Sequence, residues 1–268
     1  MSFVLTDQPA EHVTRITLNR PERMNAMAFD VMVPLMETLK EVGHDNDTRV
    51  IVLTGAGRGF CSGADQEDSG VVPHVEGLRS VPMFATRANQ ALEDVVSTLR
   101  HVPQPIIAAI NGPTIGGGLA LSLWADIRVA ANSAYFRAAG INNGLNAAEY
   151  GLSFLLPRAI GSSRSMEMML TGRDVDAEEA ARIGLVSQAV ADEDLMPTVL
   201  GIAERIIGWS QLGIEVTKKV AWAGLEATSV LAHMDHENRS QLFVRLTTKN
   251  FEEAIVARKE KRPPVFND

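Results

Sequence analysis

Two apolar runs that each end in clustered glycines constrain this chain more than any other feature. RVIVLTGAGRGFCSGADQ, residues 49–66, and PQPIIAAINGPTIGGGLA, residues 103–120, both pass from a strand-like run into a glycine-rich turn. Neither run alternates apolar with polar residues, so each reads as a strand covered on both faces, the condition found in α/β architectures. Glycines let the backbone approach a ligand closely, and the first amides of a following helix lack internal acceptors. Gly55, Gly57 and Gly59 miss the dinucleotide-binding pattern because Phe60 stands at its third glycine, and no GK[ST] follows to form a phosphate loop. What remains is two sets of backbone N–H groups, which by converging on one oxygen atom can stabilise an oxyanion without a charged side chain.

The rest of the pattern supports an N-terminal α/β core. FVLTDQPAEHVTRITLNRP, from Phe3 to Pro21, predicts two short strands around a turn, and FDVMVPLMETLKEVG, residues 29–43, predicts a helix bent or started by Pro34. Residues 84–101 predict another helix, and the stretch through ADIRVAA gives strand, turn, helix and strand in succession. Beyond residue 160 short helical patterns dominate, with GLVSQAV the one clear strand. No linker or repeat separates the two parts. Helices packed on the core or on neighbouring subunits are therefore expected, with a core over 1–200 and a helical region over 201–268.

At 268 residues and 46% hydrophobic composition the chain can bury a full core. A net charge of −8 argues against nucleic acid or an anionic membrane surface as partner, because both reward a basic face. No apolar run approaches the ~18 residues of a membrane span, and the first residues lack a signal-peptide pattern. Cys61 is the single cysteine, which excludes an internal disulfide and fits a reducing compartment; a cytoplasmic protein without a bound metal is expected.

Four stretches carry a family resemblance. NRPERMNAM at 19–27, GAGRGFCSGAD at 55–65, GGG at 116–118 followed by ADIRVA, and LTGRDVDAEEAARIGLVSQAV at 170–190 resemble, in order, the crotonase (enoyl-CoA hydratase/isomerase) superfamily. The resemblance implies a ClpP/crotonase-like spiral of ββα units with a C-terminal helical trimerisation region, assembled as a homotrimer or a dimer of trimers. It implies a coenzyme A thioester as substrate and no separate cofactor. The thioester carbonyl would accept hydrogen bonds from the amides matching Ala64 and Gly117, which would stabilise an enolate. Asn25 and Ala26, with the backbone around Asp65 and Gln66, would line the CoA pocket. The basic tail containing Arg258, Lys259, Lys261 and Arg262 is either a phosphate clamp or a solvated helix end.

The resemblance breaks at the acids. The family's hydratases hold a water between two glutamates, and the matching positions here are Ala120 and Gly140. Glu149, nine residues after Gly140, is the sole Asp or Glu between Asp126 and Glu167. It matches the place where dienoyl-CoA isomerases and aryl-CoA dehalogenases carry an aspartate, given a loop one residue longer. In a dry pocket its pKa would rise unless Asn142, Asn143 or Tyr150 stabilised the anion; the competing reading is an acid at a helix N-terminus.

A single base that takes and returns a proton suits double-bond isomerisation better than hydration. The alternatives are hydration with a second group from the 66–80 loop, where Asp68, His74 and Glu76 stand, a nucleophilic role for Glu149 in hydrolysis or dehalogenation, and acyl-CoA binding without chemistry. His233 and His236 fit a solvated helix face better than a metal site, Cys61 a packed residue better than a nucleophile, and Trp124, Trp209 and Trp222 the core or subunit contacts.

Overall fold

The computed structural model describes residues 2–267. In chain order it forms β1 (Val4–Ala10), β2 (Val13–Leu18), α1 (Phe29–Gly43), β3 (Val50–Gly55), α2 (Val81–His101), β4 (Ile106–Ile110), β5 (Thr114–Ile115), α3 (Gly117–Leu123), β6 (Ile127–Ala131) and β7 (Tyr135–Arg137). Then follow α4 (Leu152–Ile160), α5 (Ser162–Thr171), β8 (Val175–Asp176), α6 (Ala177–Ile183), β9 (Gln188–Val190), α7 (Leu195–Ile207), α8 (Gln211–Glu226), α9 (Val230–Thr247) and α10 (Asn250–Glu260). Most expected strands and helices fall where the patterns put them, but α2 starts three residues before residue 84, Pro34 sits inside α1, GLVSQAV is a strand only at Gln188–Val190, and a second short strand, β8, also lies beyond residue 160.

The main sheet runs β1-β2-β3-β4-β6-β9, antiparallel at β1-β2 and parallel beyond; β5, β7 and β8 make a small second sheet. The unbroken apolar run of β3 has a direct cause. Ile51 and Leu53 join the core under α1 and α4, while Val50 and Val52 join a second core with Leu195, Val199 and Ile202 of α7 on the opposite face. Each side chain so buried contributes roughly 2 kcal/mol. Residue 200 lies inside α7, so the helix that closes the sheet's far face extends past the expected end of the core at 200.

A buried polar cluster ties α8 to the core. Lys218 of α8 places Nζ 2.9 Å from Asp126 Oδ2 and donates to the Gln104 carbonyl, while Trp222 Nε1 donates to Asp126 Oδ1 at 2.6 Å. Trp124 stacks on Trp222 with ring centroids 5.7 Å apart, whereas Trp209 is 56% exposed and belongs to neither core. Farther along, α9 buries none of its residues and leaves Leu231, Leu242, Phe243 and Leu246 more than half exposed. His233 does not lie on a solvated face: its ring closes over Gly224 of α8, with Glu237 3.4 Å away. None of the described helices is long and apolar enough to cross a membrane.

Candidate active site

The two glycine turns are laced together. Phe60 and Cys61 both donate their N–H groups to the Pro113 carbonyl at 3.2 Å, and Ile115 N–H returns a bond to the Cys61 carbonyl at 3.0 Å. Contact is so close at Gly63 that a Cβ there would stand 2.7 Å from the Ile115 oxygen and 3.4 Å from the Gly117 nitrogen; its φ of +85° also requires glycine. Gly63 thus brings Ala64 beside Gly117. Ala64 is exposed and bridges to Met27, whose backbone bonds to the flanking Gly63 and Asp65 and leaves the Ala64 amide unengaged. Gly117 opens α3, so its N–H belongs to the helix's unsatisfied first turn. Among the described residues neither amide has an acceptor, and together they can donate to one oxygen atom.

Glu149 stands at the same place. Its Oε1 lies 3.2 Å from the point a Cβ on Gly116 would occupy, one residue before the Gly117 amide. The side chain is half-buried, with no hydrogen bond or ion pair among the described residues, and desolvation raises its pKa above the ordinary glutamate value. Asn142 and Asn143 do not stabilise it; Asn142 points at Gly172 instead. Nor is Glu149 in the helix it precedes: α4 starts at Leu152, after a left-handed Gly151. The N-terminal-acid reading therefore lacks its geometry.

Both hydratase positions are closed. Ala120 is fully buried, and a Cβ on Gly140 would overlap the Asn146 carbonyl oxygen and stand 2.9 Å from Ala147 Cα. The loop leading from Gly140 to Glu149 folds back into the space that a side chain at 140 would fill. Of the candidates in 66–80, Asp68 leans toward Arg20 at 3.4 Å, His74 faces a cavity shared with Glu37, Arg87 and Asp94 between α1 and α2, and Glu76 is exposed. None of these contacts joins Glu149.

Several residues expected to meet CoA serve the fold with their side chains. Asn25 is fully buried at φ +54°; its Oδ1 accepts from Arg20 N–H at 2.9 Å and its Nδ2 donates to the Ala56 and Gly59 carbonyls, so its amide does not line a pocket. Asp65 is clamped by Arg20 at 2.9 Å and Arg23 at 2.6 Å and accepts from the Glu67 and Asp68 amides. Hydrogen bonding to Arg23, foremost, holds its carboxyl well below the usual range. Ala26 is buried and Gln66 exposed. Arg262 is committed to Glu253 and Glu260 at 2.6 and 2.7 Å, and Lys261 is the left-handed residue that ends α10. Within this chain Arg262 is thus paired at the helix end, and its contacts do not bring it to Ala64. Cys61 is fully buried, its thiol pushed up to about 12 chiefly by desolvation.

Four residues near the turns escaped the sequence reading. Arg20 and Arg23 fix Asp65, Asn111 bonds Gly55 N–H and the Gly57 carbonyl, and Met27 sets its Sδ 2.5 Å from the Cβ position of Gly117. Only the two arginines, three apart before Asn25, left a visible signal.

Comparison with known proteins agrees with this architecture. A family model described as Enoyl-CoA hydratase/isomerase matches residues 8–268. A Mycobacterium tuberculosis protein named probable enoyl-CoA hydratase EchA12 is 63% identical over 268 residues, covering 100% of this chain and 94% of its own. Among solved structures, a probable enoyl-CoA hydratase/isomerase from Mycobacterium abscessus is 58% identical with a TM-score of 0.95, over 100% of this chain and 99% of that one. A monofunctional enoyl CoA isomerase from M. smegmatis is 53% identical with a TM-score of 0.74, over 87% of this chain and 99% of that one. The chain is an enzyme of the enoyl-CoA hydratase/isomerase family with the crotonase fold.

Proposed function

We propose that this enzyme moves a carbon-carbon double bond along an acyl-CoA thioester. The amides of Ala64 and Gly117 hold the carbonyl oxygen as negative charge develops on it, and Glu149 removes a proton from C2 of a 3-enoyl thioester and returns it at C4, so that the double bond moves from C3–C4 to C2–C3. The observation that carries this reading is the placement of one unpaired carboxylate: Glu149 Oε1 faces Gly116 while the positions of the hydratase glutamates are a buried alanine and a glycine with no room for a side chain. The M. smegmatis neighbour, described as an enoyl CoA isomerase, supports it. An unpaired carboxylate with a raised pKa is a stronger base than a solvated one, and a positioned base supplies roughly 10²- to 10⁴-fold in rate. No cofactor beyond the CoA thioester enters this scheme.

Hydration is the second reading, favoured by the name probable enoyl-CoA hydratase borne by the M. tuberculosis relative. It requires a second group to hold water, and the contacts of Asp68, His74 and Glu76 offer none beside Glu149. Incubating the protein with 2-enoyl-, 3-enoyl- and dienoyl-CoA thioesters and identifying the products separates the readings. Interconversion of 3-enoyl and 2-enoyl thioesters supports isomerisation, 3-hydroxyacyl-CoA supports hydration, a covalent adduct on Glu149 supports nucleophilic hydrolysis or dehalogenation, and tight binding without turnover leaves a binding protein.

The assembly proposed is a trimer or a pair of trimers in the cytoplasm. Support comes from the exposed apolar residues of α9 and from an apolar groove of about 690 Å3 lined by Val216, Val220, Leu242, Val244, Phe251 and Phe266, among others, a surface a second copy would cover. In such an assembly Lys261 and Arg262 would have to reach a phosphate from a neighbouring chain.

A further inference from the structure

Glu149 and Tyr150 are consecutive, and they reach consecutive residues of the second turn. Glu149 Oε1 faces Gly116, and Cδ2 of the Tyr150 ring lies 3.6 Å from the Cβ position of Gly117. Tyr150 holds this place at a φ of +45°, a left-handed conformation that costs a non-glycine residue on the order of 1–2 kcal/mol. Its neighbours impose it. Trp124 Nε1 donates to the Tyr150 carbonyl at 2.8 Å, and Gly151, at φ +85°, sits so close to Trp124 that a Cβ there would be 2.9 Å from the indole. Trp124 is itself stacked on Trp222.

The ring is therefore fixed through its backbone and the tryptophan pair, while its phenol makes no hydrogen bond among the described residues. Burial, and then the carboxylates of Glu149 and Glu93, push the phenol's pKa up, so the side chain stays neutral. A rigid, uncharged aromatic ring packed against Gly117 is suited to shape selection rather than to proton transfer.

We propose that the Tyr150 ring walls the acyl site beside Gly117 and selects unbranched acyl groups over those substituted on the carbon next to the thioester carbonyl. The inference rests on the reading that Ala64 and Gly117 bind a thioester carbonyl. A thioester whose carbonyl oxygen accepts from the Gly117 amide would bring that carbon toward the ring packed on Gly117, where a substituent on the ring's side would overlap it. One extra methyl or methylene changes binding in a shaped apolar pocket about 10- to 200-fold.

Saturated thioesters test this without turnover. Titration calorimetry would give Kd for butanoyl-CoA and 2-methylpropanoyl-CoA on the wild type, Tyr150→Phe and Tyr150→Gly, the last chosen because glycine accepts the positive φ. The wild type and Tyr150→Phe are expected to favour the unbranched thioester by at least about 10-fold, and Tyr150→Gly to narrow the ratio to about threefold or less. Should Tyr150→Gly fail to give a cooperative melt, Tyr150→Leu replaces it, with an expected ratio below the wild-type value. An unchanged ratio on ring removal overturns the inference, as does a wild type without preference or a Tyr150→Phe that alone abolishes it. A wild type that binds neither thioester overturns the acyl-CoA reading along with it; binding with an unchanged ratio overturns the wall alone.

Discussion

The carbonyl oxygen of Asn146 occupies the space into which a side chain on Gly140 would project. The acid of the hydratase pattern is not simply missing at 140, because the loop that carries Glu149 has folded into its place. The loop conformation that presents Glu149 thus also leaves no room for a side chain at 140.

Gly140→Glu would not restore a second acid. The new Cβ meets backbone atoms of Asn146 and Ala147, which cannot rotate away, so the variant is expected to lose about 1–3 kcal/mol of stability. Urea melts would check this, and a variant that kept wild-type stability while forming 3-hydroxyacyl-CoA would contradict it.

Glu149 gives a pH prediction with a definite sign. The base acts as its anion, so kcat falls as pH drops, and because burial raises the pKa the acid limb of the profile lies above the ordinary glutamate value. The stability linkage has the matching sense: a raised folded-state pKa favours folding below the unfolded-state value and loses that contribution as pH rises through the folded value. At neutral pH the buried anion costs stability. Glu149→Gln is therefore expected to raise Tm at pH 7 while lowering turnover, and the Tm gain is expected to vanish below pH ~4.

Asp65 behaves oppositely. Its depressed folded-state pKa contributes stability above the unfolded-state value, and that contribution is lost as pH falls through the folded value, far below neutrality. Asp65→Asn removes the buried partner of Arg20, leaving the exposed Asp68 at 3.4 Å, and is expected to cost about 3 kcal/mol at pH 7. A denaturant midpoint equal to the wild type's would show that the clamp does not hold the turn.

How far the sequence could be read depends on what each feature requires. The strands and turns of the two glycine units were legible because covering both faces of β3 demands an unbroken apolar run, and the close contact of Gly63 with Ile115 demands glycine. Glu149 was legible as an isolated carboxylate. The use of Asn25 and Asp65 was not, because a polar side chain can serve a ligand or its own backbone, and only the positions of Ala56, Gly59, Arg20 and Arg23 decide which. The pairing of Arg262 with Glu253 was hidden for a similar reason: it depends on the chain reversing at Lys261. Tyr150 was legible only as a neighbour of Glu149 and Met27 only as part of NRPERMNAM, because their packing against Gly117 depends on how the chain folds.

Isomerisation by this site depends on proton transfer by Glu149. This dependence is tested most directly by measuring kcat for conversion of a 3-enoyl-CoA to its 2-enoyl isomer in the wild type and in Glu149→Gln, with Kd for a saturated acyl-CoA measured alongside. A loss of roughly 10²- to 10⁴-fold in kcat with Kd little changed is expected. Full isomerase activity in Glu149→Gln would contradict it.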